Sequence, residues 1–151
     1  TAGDAVAWLP KHGILFTGDA CVNGAFNYTG DSDTASWVAV LGAMENLGPT
    51  TICPGHGEAG GPEVIANQKR WFTELRAAVK AGIARGDGVE KITETLDIPF
   101  YREGAGVEAK SRTENVEHVF KELSGTKPLG MRRPHRHPHP HPQAVSRGEG
   151  R

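Results

Sequence analysis

Two residues stand where side chains could do chemistry. Asp19 follows a β-rich run, residues 14–17, and the glycine Gly18; His56 follows a second run, residues 50–53, and sits between Gly55 and Gly57. Glycine neighbours let the backbone bend sharply and present a side chain at a sheet edge. Strand ends packed by helices hold such side chains rigidly yet within reach of solvent, which suits ligands and catalysts. A carboxylate and an imidazole are both ligands that Zn2+ accepts, so Asp19 and His56 read as a candidate cation site. Residue type and spacing leave two ordinary alternatives open. Asp19 caps its own turn, or His56 is a buried histidine satisfied by a backbone carbonyl.

Other polar and sulfur-bearing residues are weighed against bland roles. Cys21 lies two residues beyond Asp19, which along an extended strand points it the same way, as an alternative ligand or as a small buried thiol. Cys53 reads as core, and His12 and His118 as surface residues. Trp8, Trp37 and Trp71 read as packing residues, with a substrate-lining role for one of them as the alternative. Asn23, Asn27 and Tyr28 fall in the loop after Asp19, at the edge of the candidate site. Lys110, Arg112 and Arg102 are either contacts for an anionic substrate or solvated charges.

The elements that must position the pair are legible from periodicity and punctuation. Residues 5–9 stop at Pro10, Lys11-His12-Gly13 forms a turn, and residues 14–17 return, giving a hairpin. Residues 22–33, rich in Gly, Asn and Asp, form a loop. A helix comes next, with Trp37, Val40, Leu41, Met44 and Leu47 at helical spacing, cap candidates at 33–36 and a Gly48-Pro49 stop. After the strand at 50–53, a long helix runs from Pro62 to about Arg85 on the stripe Ile65, Phe72, Leu75, Val79 and Ile83. A third helix carries Val89, Ile92 and Leu96. A fourth starts at the capping box Ser111-Arg112-Thr113-Glu114 and buries Val116, Phe120 and Leu123. Residues 1–124 thus read as one ordered, mixed α/β (α+β) unit. Residues 125–151 read as a disordered tail, because 134–142 alternate Pro and His with one Arg. Its His135, His137, His139 and His141 would bind Zn2+ or Ni2+ loosely, or serve no purpose.

Composition narrows the class. The 151 residues suffice for one domain, and no apolar run reaches the roughly 18 residues of a membrane helix. Leu, Ile, Val and Phe total 30, close to the level where order becomes doubtful. Three short strands also offer the amphipathic helices less surface than they ask for. Residues 1–124 hold 11 Lys and Arg against 17 Asp and Glu, and the remainder holds 6 against 1. An acidic body with a short basic tail is a poor nucleic-acid platform. Two cysteines make no disulfide framework. Thr1-Ala2-Gly3-Asp4 shows neither a charged nor an apolar signal segment, and the chain is expected to begin inside a longer polypeptide.

Four sequence blocks occur together: Thr1-Ala2-Gly3-Asp4-Ala5-Val6-Ala7-Trp8-Leu9-Pro10; Ile14-Leu15-Phe16-Thr17-Gly18-Asp19; Trp37 with Leu41 and Leu47; and Ile52-Cys53-Pro54-Gly55-His56-Gly57. Their order and spacing, over residues 1 to about 80, resemble the second half of a metallo-β-lactamase-fold hydrolase. The third and fourth helices and Tyr101-Arg102-Glu103 resemble the C-terminal extension of some members. The resemblance implies the C-terminal half of a four-layer αββα sandwich. It makes Asp19 the aspartate shared by two metal ions and His56 the last histidine ligand, the two residues also serving catalysis. The ions would be Zn2+, with Fe or Mn as alternatives. A hydroxide held between them would attack an ester, thioester, lactone or amide type bond of a small-molecule substrate. Asp19 argues against the cysteine-ligand β-lactamases of this fold. The family's His-x-His-x-Asp-His motif is absent, and a further family histidine would fall one position before Thr1. The expectation is therefore an enzyme in the full-length parent, inactive as this fragment, whose missing partner is the N-terminal half of the same chain. The alternative is a non-catalytic fold half or interaction module with a His-rich metal-binding tail.

Overall fold

Gly13, at φ +65°, turns the chain between two short strands, β1 (Ala7–Leu9) and β2 (Ile14–Gly18), which pair antiparallel with Trp8 opposite Leu15. The computed structural model describes residues 3–24, 28–30, 32–98 and 109–125. After β2 come α1 (Thr34–Asn46), β3 (Thr51–Pro54), α2 (Glu63–Arg85), α3 (Val89–Thr95) and α4 (Ala109–Leu123). The strand order is β1-β2-β3, and β3 runs parallel to β2, with Leu15 opposite Ile52 and Phe16 opposite Cys53. The fold is mixed α+β. Among the described residues no helix is long and apolar enough to cross a membrane. The tail from 126 onward, with its four histidines, lies outside the described residues, as do Asn27 and Tyr101-Arg102-Glu103.

Side-chain alternation makes the sheet two-sided. Leu15 and Ile52 are fully buried and Trp8 packs beside them, so this face joins the helical core. The opposite face carries two cross-strand rows, Ala7–Phe16–Cys53 and Leu9–Ile14–Thr51, five of whose six residues are apolar. Phe16 is nevertheless 45% exposed and Leu9 42%. A sheet solvated on one face normally alternates apolar and polar residues. This one does not.

The long helix α2 is the centre of the core. Val64, Ile65, Trp71, Phe72, Leu75 and Val79 are buried along one side, as the expected stripe requires, and Gly86 closes the helix in the left-handed region. Gly82 brings α3 close, since a Cβ there would stand 2.4 Å from Ile92 Cγ1. The first helix departs from expectation. Leu41 and Met44 are buried, but Val40 and Leu47, expected on the same stripe, are 46% and 43% exposed. Residues 34–44 carry no charge, and a helix apolar all round does not announce which side faces inward.

The inward side is chosen by polar anchors instead. Asp33 caps α1 by accepting from Ser36 N–H at 2.7 Å. Glu122 of α4 accepts from Thr34 N–H at 3.0 Å and from its hydroxyl at 2.8 Å, and Arg76 of α2 pairs with Glu122. Two turns away on α4, Asn115 Oδ1 accepts from Thr29 N–H at 3.1 Å and from its hydroxyl at 2.8 Å. His118 lies on this seam, 3.2 Å from Thr29 Oγ1 and edge-on to Tyr28. The expectation of a surface His118 is corrected: the i, i+3, i+7 spacing of Asn115, His118 and Glu122 gives α4 a polar seam where the sequence suggested solvent. Helix α4 also begins at Ala109, two residues before the expected capping box, because Ala109 and Lys110 are good helix formers and extend it. β1 is shorter than expected at its start, where Val6 is exposed.

Candidate metal centre

Parallel pairing explains why the two candidates meet. Because β2 and β3 run side by side in the same direction, both strands leave the sheet at one end, with Gly18 opposite Pro54. Ligand sites of parallel sheets lie beyond the carboxyl ends of the strands for this reason. A register shift between Phe16 and Gly18 inserts Thr17 as a bulge, and Gly18 comes next at φ +51°. Bulges bend a strand and re-aim the residues beyond the bend. Here the bend turns Asp19 towards β3.

The structure brings Asp19 and His56 together. His56 Nδ1 lies 2.9 Å from Asp19 Oδ1, and the two side chains are 71% and 74% exposed. The buried-histidine alternative for His56 does not hold.

Backbone contacts fix this geometry. Gly55 N–H donates to Gly18 O at 2.9 Å and to Cys21 O at 3.1 Å, and Asn23 N–H donates to His56 O at 2.9 Å. Asn23 Nδ2 adds a bond to Glu58 O at 2.9 Å, straddling the glycine after the histidine. The Thr17 hydroxyl, fully buried, lies within reach of Gly18 O and Cys21 O. Each glycine beside His56 has a separate reason. A Cβ at Gly55 would stand 2.2 Å from Asp19 Oδ1 and 2.6 Å from Gly18 C; at Gly57, where φ is +86°, it would stand 2.0 Å from Asn23 O. The sequence suggested glycines for bending. The structure adds that the two loops touch through them.

Cys21 is not in the site. It is fully buried, its thiol donates to Val64 O at 3.6 Å, and burial pushes its pKa up from 9.0 to about 12. The bend after Gly18 takes Cys21 out of the extended geometry that would have aligned it with Asp19. Cys53 is half-buried on the outer sheet face, not in the core. Arg112 donates to Leu96 O, so it is a structural contact between α4 and the end of α3. His12 is exposed in the hairpin turn.

As a donor set, Asp19 and His56 fit a cation in type and spacing. Donors on one tetrahedral zinc, at about 2.0–2.1 Å from the metal, stand roughly 3.3 Å apart, so a few tenths of an ångström of side-chain rotation suffices. A closed or catalytic zinc needs at least three protein ligands, and among the described residues no group of three His, Cys, Asp or Glu forms. Three features escaped the sequence reading: Asn23 as a brace, Gln68 accepting from Val22 N–H at 3.4 Å, and the Trp37 indole donating to Ala20 O at 2.8 Å. A buried glutamine on the apolar stripe of α2 was the one available signal. No protein-family model matches the chain, and no curated protein matches it.

Proposed function

We propose that this chain supplies half of a metallo-β-lactamase-type hydrolytic centre, with Asp19 and His56 as its two cation ligands. The observation that carries the reading is the 2.9 Å approach of the His56 ring to the Asp19 carboxylate at the shared end of two parallel strands. The bare apolar sheet face supports the αββα part of the proposal. Helices cover one face, while Phe16 and Leu9 stay exposed on a face built like a core. A second sheet packed there, about 10 Å away, would bury that face and bring further ligands to the rim where Asp19 and His56 stand.

Bound zinc would supply Lewis acidity for hydrolysis of an ester, thioester, lactone or amide bond. This chain's residues do the placing. Asp19 would hold the cations through its carboxylate and His56 through a ring nitrogen, while the Gly55 and Asn23 backbone bonds hold the two loops together. A non-catalytic interaction module shares the bare face, but it does not require a carboxylate and an imidazole at hydrogen-bond distance on loops stitched together by backbone.

The test is a residue-resolved NMR titration of the chain with Zn2+. Weak binding that moves the Asp19 and His56 signals, and is lost in His56→Ala, supports the reading. Zinc that perturbs only the histidines of residues 134–142 sinks it.

A further inference from the structure

We propose that Trp37 is a positioning residue for the Asp19 carboxylate, acting through the Ala20 carbonyl. The inference concerns the Asp19–His56 site just described and rests on that reading for its functional meaning, though its first readout requires no metal.

Asp19 rides on a tight turn whose internal bonds are long: Ala20 N–H to Thr17 O at 3.3 Å and Cys21 N–H to Gly18 O at 3.3 Å. Backbone bonds of ordinary strength fall at 2.7–3.2 Å, so the turn is not held by its own ladder. Shorter bonds from outside the turn's backbone ladder hold it. The Thr17 hydroxyl donates to Gly18 O and Cys21 O at 3.0 and 3.2 Å, and Gly55 N–H donates to the same two carbonyls at 2.9 and 3.1 Å. The Trp37 indole N–H donates to Ala20 O at 2.8 Å, the shortest of these. The Ala20 carbonyl lies one residue beyond Asp19. Fixing it fixes the rotation of the chain that leaves the aspartate.

The indole is itself aimed rigidly. Its ring packs on Phe72 with centroids 4.7 Å apart, and Phe72, fully buried, packs in turn on Trp71 at 4.8 Å. Its backbone sits in the first turn of α1, pinned by Asp33 and by Glu122 from α4. The direction of the N–H is thus set by elements remote from Asp19. Ala20 is 9% exposed, so loss of the donor leaves a largely buried carbonyl and releases the turn to rotate. Trp37 touches no cation; it decides where the carboxylate stands relative to the His56 ring.

The decisive substitution is isosteric: Trp37 replaced by 3-benzothienylalanine, which keeps the bicyclic ring and its packing on Phe72 but has sulfur in place of N–H. In the metal-free protein at fixed pH, the His56 ring 15N signals should shift. Exchange of the Val22 and Gly55 amides should accelerate about fivefold, the scale of one net hydrogen bond. In a Zn2+ titration followed at Asp19 and His56, binding should weaken by a similar factor, and Trp37→Phe should behave likewise. A packing role alone is preserved by the isostere and predicts no change in any of these signals. Unchanged His56 signals and unchanged exchange in the isostere overturn the inference whatever zinc does. Wild-type protein whose Asp19 and His56 ignore zinc overturns the hydrolase reading instead, while the metal-free signals still decide the role of Trp37.

Discussion

Replacing Gly55 by alanine tests the central contact. Gly55 is not among the glycines with positive φ, so its backbone accepts alanine and only proximity is at stake. The new methyl would stand 2.2 Å from Asp19 Oδ1, 2.6 Å from Gly18 C and 2.7 Å from Asp19 N. The carboxylate oxygen can swing away. The two backbone atoms cannot, because Gly55 N–H is bonded to Gly18 O and Cys21 O across the same gap. Relief therefore requires the loops after β2 and β3 to separate by more than half an ångström. Overpacking of this kind costs about 1–3 kcal/mol, and weakening the shared N–H adds about 1 kcal/mol. For a chain of this size, about 2–4 kcal/mol lowers Tm by roughly 4–16 °C. Thermal unfolding followed by circular dichroism reads the loss. The zinc-dependent shifts of Asp19 and His56 should shrink with it, because the methyl wedges between them. A Gly55→Ala protein that melts within about 2 °C of wild type and responds to zinc unchanged would refute the proximity of the two loops.

Gly42→Ala is the matched opposite: a mid-helix glycine in α1 whose new Cβ meets only Lys69 Nζ at 3.7 Å, so helix propensity should raise stability by about 0.5–1 kcal/mol, read in the same melt. Cys21 gives a pH signature. Its folded pKa of about 12 lies above its ordinary 9.0, so its contribution is intact below pH 9 and is lost as pH rises towards 12, because only the unfolded state releases the proton. Urea midpoints should show a decline of about 1.4 kcal/mol per pH unit in that window, absent in Cys21→Ala. Phe16→Ser, on the bare sheet face, should change stability by no more than about 0.5 kcal/mol and reduce ANS fluorescence; a fall of several kcal/mol would mean that the face is covered.

The legible parts of the fold were those fixed by local chemistry. The stripe on α2, the stop at Gly86 and the hairpin turn at Gly13 come from periodicity and from glycine at positive φ. So did the placing of Asp19 and His56 at strand ends, since strand runs broken by glycine are local signals. The features that the sequence hid depend on partners far along the chain. Val40 and Leu47 looked like core because α1 is apolar all round, and its orientation is set by Glu122 and Arg76, 88 and 42 residues from Thr34. Cys21 looked aligned with Asp19 because a bulge at Thr17 has no composition of its own. His118 looked like surface because a polar seam between helices has the same residue types as a solvated face.

The Asp19–His56 approach invites explanation as an ion pair, but the magnitudes favour another order of cause. Both side chains are more than two-thirds exposed, and exposed pairs contribute about 0–1 kcal/mol after screening and side-chain entropy are counted. That is too little to draw two loops together. The backbone bonds across the gap, from Gly55 to Gly18 and Cys21 and from Asn23 to His56, are separate from the pair and contribute about 0.5–1.5 kcal/mol each. They require two close approaches that only glycine allows, at Gly55 and Gly57. The pair is therefore placed by the scaffold rather than self-assembled. Its exposed position puts a carboxylate and an imidazole within reach of a ligand from solvent. By this reasoning His56→Ala leaves the loops in register, whereas Gly55→Ala disrupts them with both side chains present. Amide exchange at Val22 and Asn23 separates the two: unchanged in His56→Ala and faster in Gly55→Ala. The reverse result would make the ion pair the cause.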